Sequence, residues 1–193
     1  MSMESQIFNS TTSTAALAKQ SCRLHLKAMR RSISSARRQA ATSFANQTLW
    51  NRCKGFRFIL SYASFGSELS LDPLNGCLAQ EGRLVLPKMK GEKLQLFLVE
   101  DLHGLEPNSL GIREPSKQNA KLIDPSLVTL ALIPGLGFDP ETKHRLGYGK
   151  GVYDRLLNQF PSLVAWGIGF HEQVFYSLPS EAHDRSLTTL CLV

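Results

Sequence analysis

No apolar run in this 193-residue chain approaches the roughly 20 residues needed to span a bilayer. The first eighteen residues also lack the basic start and apolar core of a secretory signal. A soluble, cytoplasmic protein without a membrane partner is therefore expected, with a loose polar leader over residues 1–18. Cysteine is sparse, and Cys22, Cys53, Cys77 and Cys191 never fall in a Cys-x-x-Cys spacing. That argues against a disulfide framework and a zinc site, and for reduced thiols used mostly in packing. Acids are missing from one stretch altogether. Between Lys19 and Arg57 stand ten Lys or Arg and no Asp or Glu; the whole chain has 22 basic and 16 acidic residues, so 12 basic and all 16 acidic residues lie elsewhere.

That segment therefore carries +10 against −4 for the remainder. Such a run suits a nucleic-acid arm, because phosphate neutralisation supplies most non-specific affinity. The favoured reading is a solvated helical face, the commoner fate of surface cations, or a surface that steers anionic small molecules. Ala40, Ala41, Phe44, Ala45, Thr48 and Leu49 recur at helical spacing, so a helix from about 35 to 50 is expected to pack on the core, capped by Ser32 or Ser34.

A chain of this length buries roughly 70% of its unfolded surface and needs no disulfide or metal staple. Phe56 to Tyr62, Arg83 to Pro87, Leu94 to Val99, Val128 to Ile133, Leu163 to Phe170 and Thr188 to Val193 read as strands, with short helices over Leu71 to Leu78 and Val152 to Phe160. No composition shift or internal repeat marks a second domain. The pattern predicts an α/β fold: a single three-layer Rossmann-like domain over residues 19–193, with a mostly parallel sheet flanked by helices and an amino-terminal helical pair.

The most informative stretch runs from Arg145 to Asp154. Three alternating glycines, Gly147, Gly149 and Gly151, two cations and a carboxylate lead straight into the helical pattern. Glycine admits positive φ and close approach, and the helix start offers unpaired N–H groups to an anion. Arg145 and Lys150 add charge, and Asp154 is placed to hold a divalent cation on phosphate oxygens. A plain glycine-rich turn with a first-turn carboxylate reads equally well from these residues alone. Two standard loops are excluded. A Walker loop needs glycine at 144 and a hydroxyl at 151, which are His144 and Gly151; a dinucleotide fingerprint needs glycine at 152, which is Val152. The run of Val128 to Ile133 ends at Pro134-Gly135 just upstream, so the segment lies in a loop at a buried strand's carboxyl end, the usual crevice of an open α/β sheet.

Ile133-Pro134-Gly135-Leu136-Gly137-Phe138-Asp139, followed by Arg145-Leu146-Gly147-Tyr148-Gly149-Lys150-Gly151-Val152-Tyr153-Asp154, resembles the signature of the 5-formyltetrahydrofolate cyclo-ligase family, also called 5,10-methenyltetrahydrofolate synthetases. Lys19 and Arg23 resemble its Lys-x-x-x-Arg, Glu68 its substrate-binding glutamate, Gly111 to Pro115 its Gly-Ile-x-Glu-Pro, and His183-Asp184 its late His-Asp pair. Val152 departs where the family often has the first tyrosine of a pair, and Thr188 where an aspartate is common.

The resemblance implies ATP-driven ring closure of 5-formyltetrahydrofolate. ATP phosphorylates the formyl oxygen, N10 attacks the activated carbon, and phosphate departs. It implies ATP-binding by Lys19, Arg23, Arg145, Leu146, Gly147, Tyr148, Gly149, Lys150, Gly151, Val152 and Tyr153, with Lys150 and Arg145 as catalytic cations. It implies folate contacts from Glu68, Tyr148 and Tyr153, and Mg²⁺ ligation by Asp154 and Asp184. Expected partners are ATP and 5-formyltetrahydrofolate, polyglutamylated forms included, both polyanions, with no nucleic acid and a monomeric chain. A nucleic-acid-binding module on residues 19–57, and another phosphate-handling enzyme such as a sugar-phosphate isomerase, stand as the alternatives.

Overall fold

The computed structural model describes residues 3–91, 93–116 and 118–193, with side chains from Ala16 onward except that of Lys93. In chain order the elements are α1 (Met3–Ser32), α2 (Ser35–Arg52), β1 (Ile59–Leu60), α3 (Asp72–Gln80), β2 (Leu84–Lys90), β3 (Lys93–Val99), β4 (Leu105–Pro107) and β5 (Arg113–Pro115). They continue with β6 (Ala120–Leu122), β7 (Leu130–Pro134), β8 (Gly137–Phe138), β9 (Arg145–Leu146), α4 (Val152–Gln159), β10 (Val164–Gly169) and β11 (Thr189–Leu192). Helical backbone thus runs through most of the segment that composition reads as a loose leader.

Seven strands form one sheet in the order β11-β10-β7-β1-β2-β3-β6. The pairings from β11 to β2 are parallel and the two outermost, β2 with β3 and β3 with β6, are antiparallel. Period-two alternation assigns each strand residue to one of two faces. Ile59, Leu84, Leu86, Leu130, Leu132, Trp166 and Ile168 pack beneath α2 and α3, while Leu60, Val85, Ala131, Ile133 and Ala165 pack against Leu156 and Leu157 of α4. The expected three-layer, mostly parallel architecture is therefore what these residues build. Among the described residues no helix is long and apolar enough to cross a membrane.

Several local expectations shift. The first strand keeps only Ile59–Leu60 because the Phe56 carbonyl accepts bonds from the Arg83 guanidinium instead of a neighbouring strand. In α2 the buried stripe is Ala41, Ala45 and Leu49, with Ala40 and Phe44 turned outward. Ser34, not Ser32, caps that helix by accepting the Arg37 N–H. Asn46, buried on the same stripe, accepts the Leu74 N–H and donates to the Ser70 carbonyl, which fixes the start of α3. The four cysteines are free; burial pushes the Cys53 thiol up to about 11, whereas Cys77 is exposed. Trp166 is buried against Phe56, as a packing residue should be.

The chain leaves β1 toward β2 on one side and later returns to β7 on the other, so the order reverses between β1 and β7. Loops leaving their carboxyl ends diverge there and open the crevice in which α/β sheets hold ligands. Helix α1 lies across this end. Its Leu26, fully buried, packs with Leu136, Leu146 and Leu178, and β8 approaches so closely that a Cβ on Gly137 would stand 2.6 Å from Leu26 Cδ1.

Leu26→Ala is expected to cost about 2–5 kcal/mol through the cavity it leaves, and Gly137→Ala about 1–3 kcal/mol through overpacking. Combined, they should cost less than the sum, because each relieves the defect of the other. Denaturant midpoints of the four proteins in the cycle test this, and simple additivity would show that α1 does not pack on β8 as described.

Candidate active site

The glycine segment crosses the carboxyl end of the sheet beneath α1. β9 pairs with β8, and the Leu136 N–H donates to the Leu146 carbonyl at 2.7 Å, which ties the segment to the loop after β7. Gly149 and Gly151 take positive φ (97° and 58°), conformations that side chains rarely adopt, and Gly151 is the N-cap of α4. The turn therefore ends with the first-turn N–H groups of a helix at the crevice. Leu146 is buried, Tyr148, Gly149 and Lys150 are exposed, and Gly151, Val152, Tyr153 and Asp154 are partly buried. The Lys150 ammonium has no partner among the described residues, which leaves it available to an anion.

The sequence-predicted cations and acids meet in pairs. Arg145 and Asp154, both largely buried, form an ion pair at 3.1 Å, and the Arg145 guanidinium lies 5.4 Å from the Tyr153 ring centre. The Arg185 N–H also donates to Asp154. From α1, Lys19 donates to Glu181 at 2.5 Å and Asp184 at 2.7 Å, and Arg23 donates to the Gly147 carbonyl at 3.0 Å. Burial works against the charge on Asp184, yet the Lys19 ammonium and the Glu181 N–H hold its carboxyl below the usual carboxylate range. Burial likewise opposes the Lys19 charge, and the two acids still raise its pKa.

Glu68 sits in the loop after β1, on the other side of the crevice. Its carboxylate accepts the Phe65 N–H at 3.0 Å. Burial raises its pKa, partly offset by that bond and by the Arg30 charge. Burial, and after it the Glu68 charge, raises the pKa of the Tyr62 and Tyr153 phenols. Phe65 and Tyr148 are exposed aromatic rings at the same end.

Two residues escape sequence reasoning. Glu181 stands with His183 and Asp184 in a group whose ligand atoms lie within 4.8 Å of one another, and its two carboxylates have the oxygen donors that hard cations take. Arg30, 2% exposed, donates to Ser67 Oγ, to the Gly135 carbonyl and to the Tyr148 hydroxyl. Its signal lay in helical spacing: Lys19, Arg23, Leu26 and Arg30 fall on one face. The basic segment is thus less of an outer face than its charge suggests, since Lys19 and Arg30 point into the protein.

Comparison with known proteins adds a second line. A sequence model of the 5-formyltetrahydrofolate cyclo-ligase family matches residues 15–193. A Schizosaccharomyces pombe protein named "Probable 5-formyltetrahydrofolate cyclo-ligase" is 30% identical over 159 residues, 73% of this chain and 76% of its own. The Mus musculus 5-formyltetrahydrofolate cyclo-ligase is 24% identical over 185 residues, 88% of this chain and 91% of its own. The solved structure of the Aquifex aeolicus 5,10-methenyltetrahydrofolate synthetase matches with a TM-score of 0.79 at 29% identity, covering 89% of this chain and 88% of that one.

Asp139 carries the turn that leads into the glycine segment. Buried at 1% exposure, it accepts the N–H groups of Glu141, Thr142 and Leu178. Burial opposes its charge, but those bonds outweigh it and lower the pKa. A depressed pKa contributes stability that is fully present above the unfolded value of about 3.9 and is lost as pH falls through the folded one. Asp139→Asn should therefore cost about 1–3 kcal/mol at neutral pH and progressively less as pH drops below about 4. Thermal midpoints against pH for both proteins check this; a deficit independent of pH would contradict it.

Proposed function

This chain belongs to the 5-formyltetrahydrofolate cyclo-ligase family, and from that premise we propose that it closes 5-formyltetrahydrofolate to 5,10-methenyltetrahydrofolate with consumption of ATP. The observation that carries the reading is that α1 ties together the glycine segment, the 181–184 acids and, through Arg30, the loop that holds Ser67 and Glu68.

A formyl oxygen on an amide nitrogen is a poor leaving group. Transfer of the γ-phosphoryl group to that oxygen breaks the bond to ADP and makes a phosphate ester. The lone pair of N10 then forms a new bond to the formyl carbon, N10 loses its proton, and the C–O bond breaks to release phosphate. Phosphoryl transfer needs in-line positioning and neutralisation of charge more than it needs covalent help. We assign positioning to the backbone of Gly147 to Tyr153, and charge neutralisation to Arg145, Lys150, Lys19 and Arg23. Glu68 as a carboxylate accepts N–H donors of the folate, with Tyr148 and Tyr153 offering ring faces to it.

Mg²⁺ prefers a few hard carboxylate oxygens together with water and phosphate. Asp154 and Asp184 fit that preference: each carboxylate is largely buried beside a proposed phosphate-binding cation, and Glu181 and His183 stand next to Asp184. There the ion would neutralise charge on the triphosphate. Use of the buried Lys19 and Arg30 inside the protein favours this reading over a nucleic-acid arm, which needs its cations at the surface. We further assign the chain to the cytoplasm, as a monomer built from one catalytic unit over residues 19–193, with polyglutamylated folate within its substrate range.

Protein incubated with 5-formyltetrahydrofolate should yield the absorbance of the conjugated methenyl product only when ATP and Mg²⁺ are both present. Asp154→Asn should lower turnover by about 100-fold or more, the scale of losing charge stabilisation in a transition state, with the fold intact by circular dichroism. Product without ATP, or an unchanged Mg²⁺ dependence in the variant, would overturn these assignments.

A further inference from the structure

Arg30 has no part in the sequence motifs, yet it is among the most buried charged groups of the chain at 2% exposure. No carboxylate pairs with it among the described residues. Its three donor nitrogens instead serve neutral oxygens on three separate segments: Nε to Ser67 Oγ at 3.0 Å, one terminal nitrogen to the Gly135 carbonyl at 3.0 Å, and the other to the Tyr148 hydroxyl. Ser67 precedes Glu68 in the loop after β1, Gly135 begins the loop after β7, and Tyr148 lies in the glycine segment. The Gly135 carbonyl also accepts Gln173 Nε2 at 2.7 Å, so Arg30 grips a point already held from β10's side of the sheet. Arg38 donates to the Ser67 carbonyl and to the Arg30 carbonyl, which places a second guanidinium beside the first.

Burying a cation without a direct ion pair is costly, and an apolar side chain would fill the same space without that cost. What an apolar residue lacks is a planar fork with fixed angles. Lysine lacks it too, having one nitrogen on a flexible stem. The Arg30 cation also lies 5.7 Å from the Tyr148 ring centre, and a second cation, Lys27, lies 5.2 Å from it. Tyr148 is thus held at its hydroxyl and beside two charges, although 47% exposed.

We infer that Arg30 is a positioning residue for the cyclisation: its buried fork fixes the spacing between the Glu68 loop and the glycine segment, and so between bound folate and bound nucleotide. The inference rests on the functional reading above. A folate placed by Glu68 and a triphosphate placed by the glycine segment react only if formyl oxygen and γ-phosphorus come into line, and misplacement by about 1 Å costs on the order of 100-fold. Arg30, bonded to Ser67 beside Glu68, also bears on the charge state of that carboxylate, which has the neutral phenols of Tyr62 and Tyr153 in its neighbourhood. Removing the cation raises the Glu68 pKa further, so activity that needs the carboxylate fails at a higher pH.

The test compares full-length wild type, Arg30→Lys, Arg30→Met and Tyr148→Phe in ATP-dependent turnover of 5-formyltetrahydrofolate across pH, with folding followed by circular dichroism. Arg30→Lys keeps a charge and loses the fork; its kcat should fall on the order of 10–100-fold, with KM for ATP within a few-fold and the acid limb of the pH profile in place. Arg30→Met should lose at least as much, and its acid limb should move to higher pH. Tyr148→Phe removes one of the three anchors, so it should lose less than Arg30→Lys and leave the limb unmoved. Wild-type kcat in Arg30→Lys, or an unmoved limb in Arg30→Met, would overturn the inference. If Arg30→Met does not fold, kcat decides: Arg30→Lys more damaged than Tyr148→Phe supports the role, and Arg30→Lys no more damaged than Tyr148→Phe overturns it. Wild type that makes no product rejects the functional reading itself, whereas an active wild type with indifferent Arg30 variants rejects only the role of Arg30.

Discussion

Everything at the crevice depends on how α1 is held across the carboxyl ends of the parallel strands. Leu26 supplies the apolar contact, packing on Leu136, Leu146 and Leu178. The cations on the same helix face supply the rest: Lys19 reaches Glu181 and Asp184, Arg23 reaches the Gly147 carbonyl, and Arg30 reaches Ser67, Gly135 and Tyr148. One helix thereby touches the loop after β1, the loop after β7, the glycine segment and the 181–184 segment. The loops after β1 and β7 begin where their strands end, so the sheet alone does not brace them.

The charges in this arrangement come as matched sets. Lys19 faces Glu181 and Asp184, and Arg145 faces Asp154. On the proposed reading these pairs are exchangeable rather than permanent: phosphate oxygens take the place of the carboxylates at the cations, and a hard divalent ion takes the place of the cations at the carboxylates. Such an exchange keeps every buried charge compensated, which the cost of an unpaired buried ion requires. Arg30 is different. Its partners are neutral and belong to the protein backbone and to two hydroxyls, so it has no reason to change partners when ligands arrive.

Much of this was legible in the chain because local physics and tertiary use agree. The run of Val128 to Ile133 becomes β7, displaced to Leu130–Pro134, and Asp72-Pro73 starts α3 because proline suits a helix's first turn. The pairing of Arg23 with Gly147 and of Lys19 with Asp184 joins residues that only the resemblance had connected. What was illegible depends on distant partners. Phe56 reads as strand by β-propensity, and a bond from Arg83, 27 positions away, diverts its carbonyl. Ala40 and Phe44 fit a helical apolar stripe until the direction of the sheet decides which edge is inside. Arg30 looked like one cation among ten; its burial follows from where three loops end, which no local pattern encodes.

Oxygen tracing tests the central claim most directly. With ¹⁸O in the formyl group of 5-formyltetrahydrofolate and unlabelled ATP, one labelled oxygen should appear in the released inorganic phosphate for each methenyl product formed. Label that appears in water, with phosphate left unlabelled, would contradict activation by transfer of the γ-phosphoryl group to the formyl oxygen.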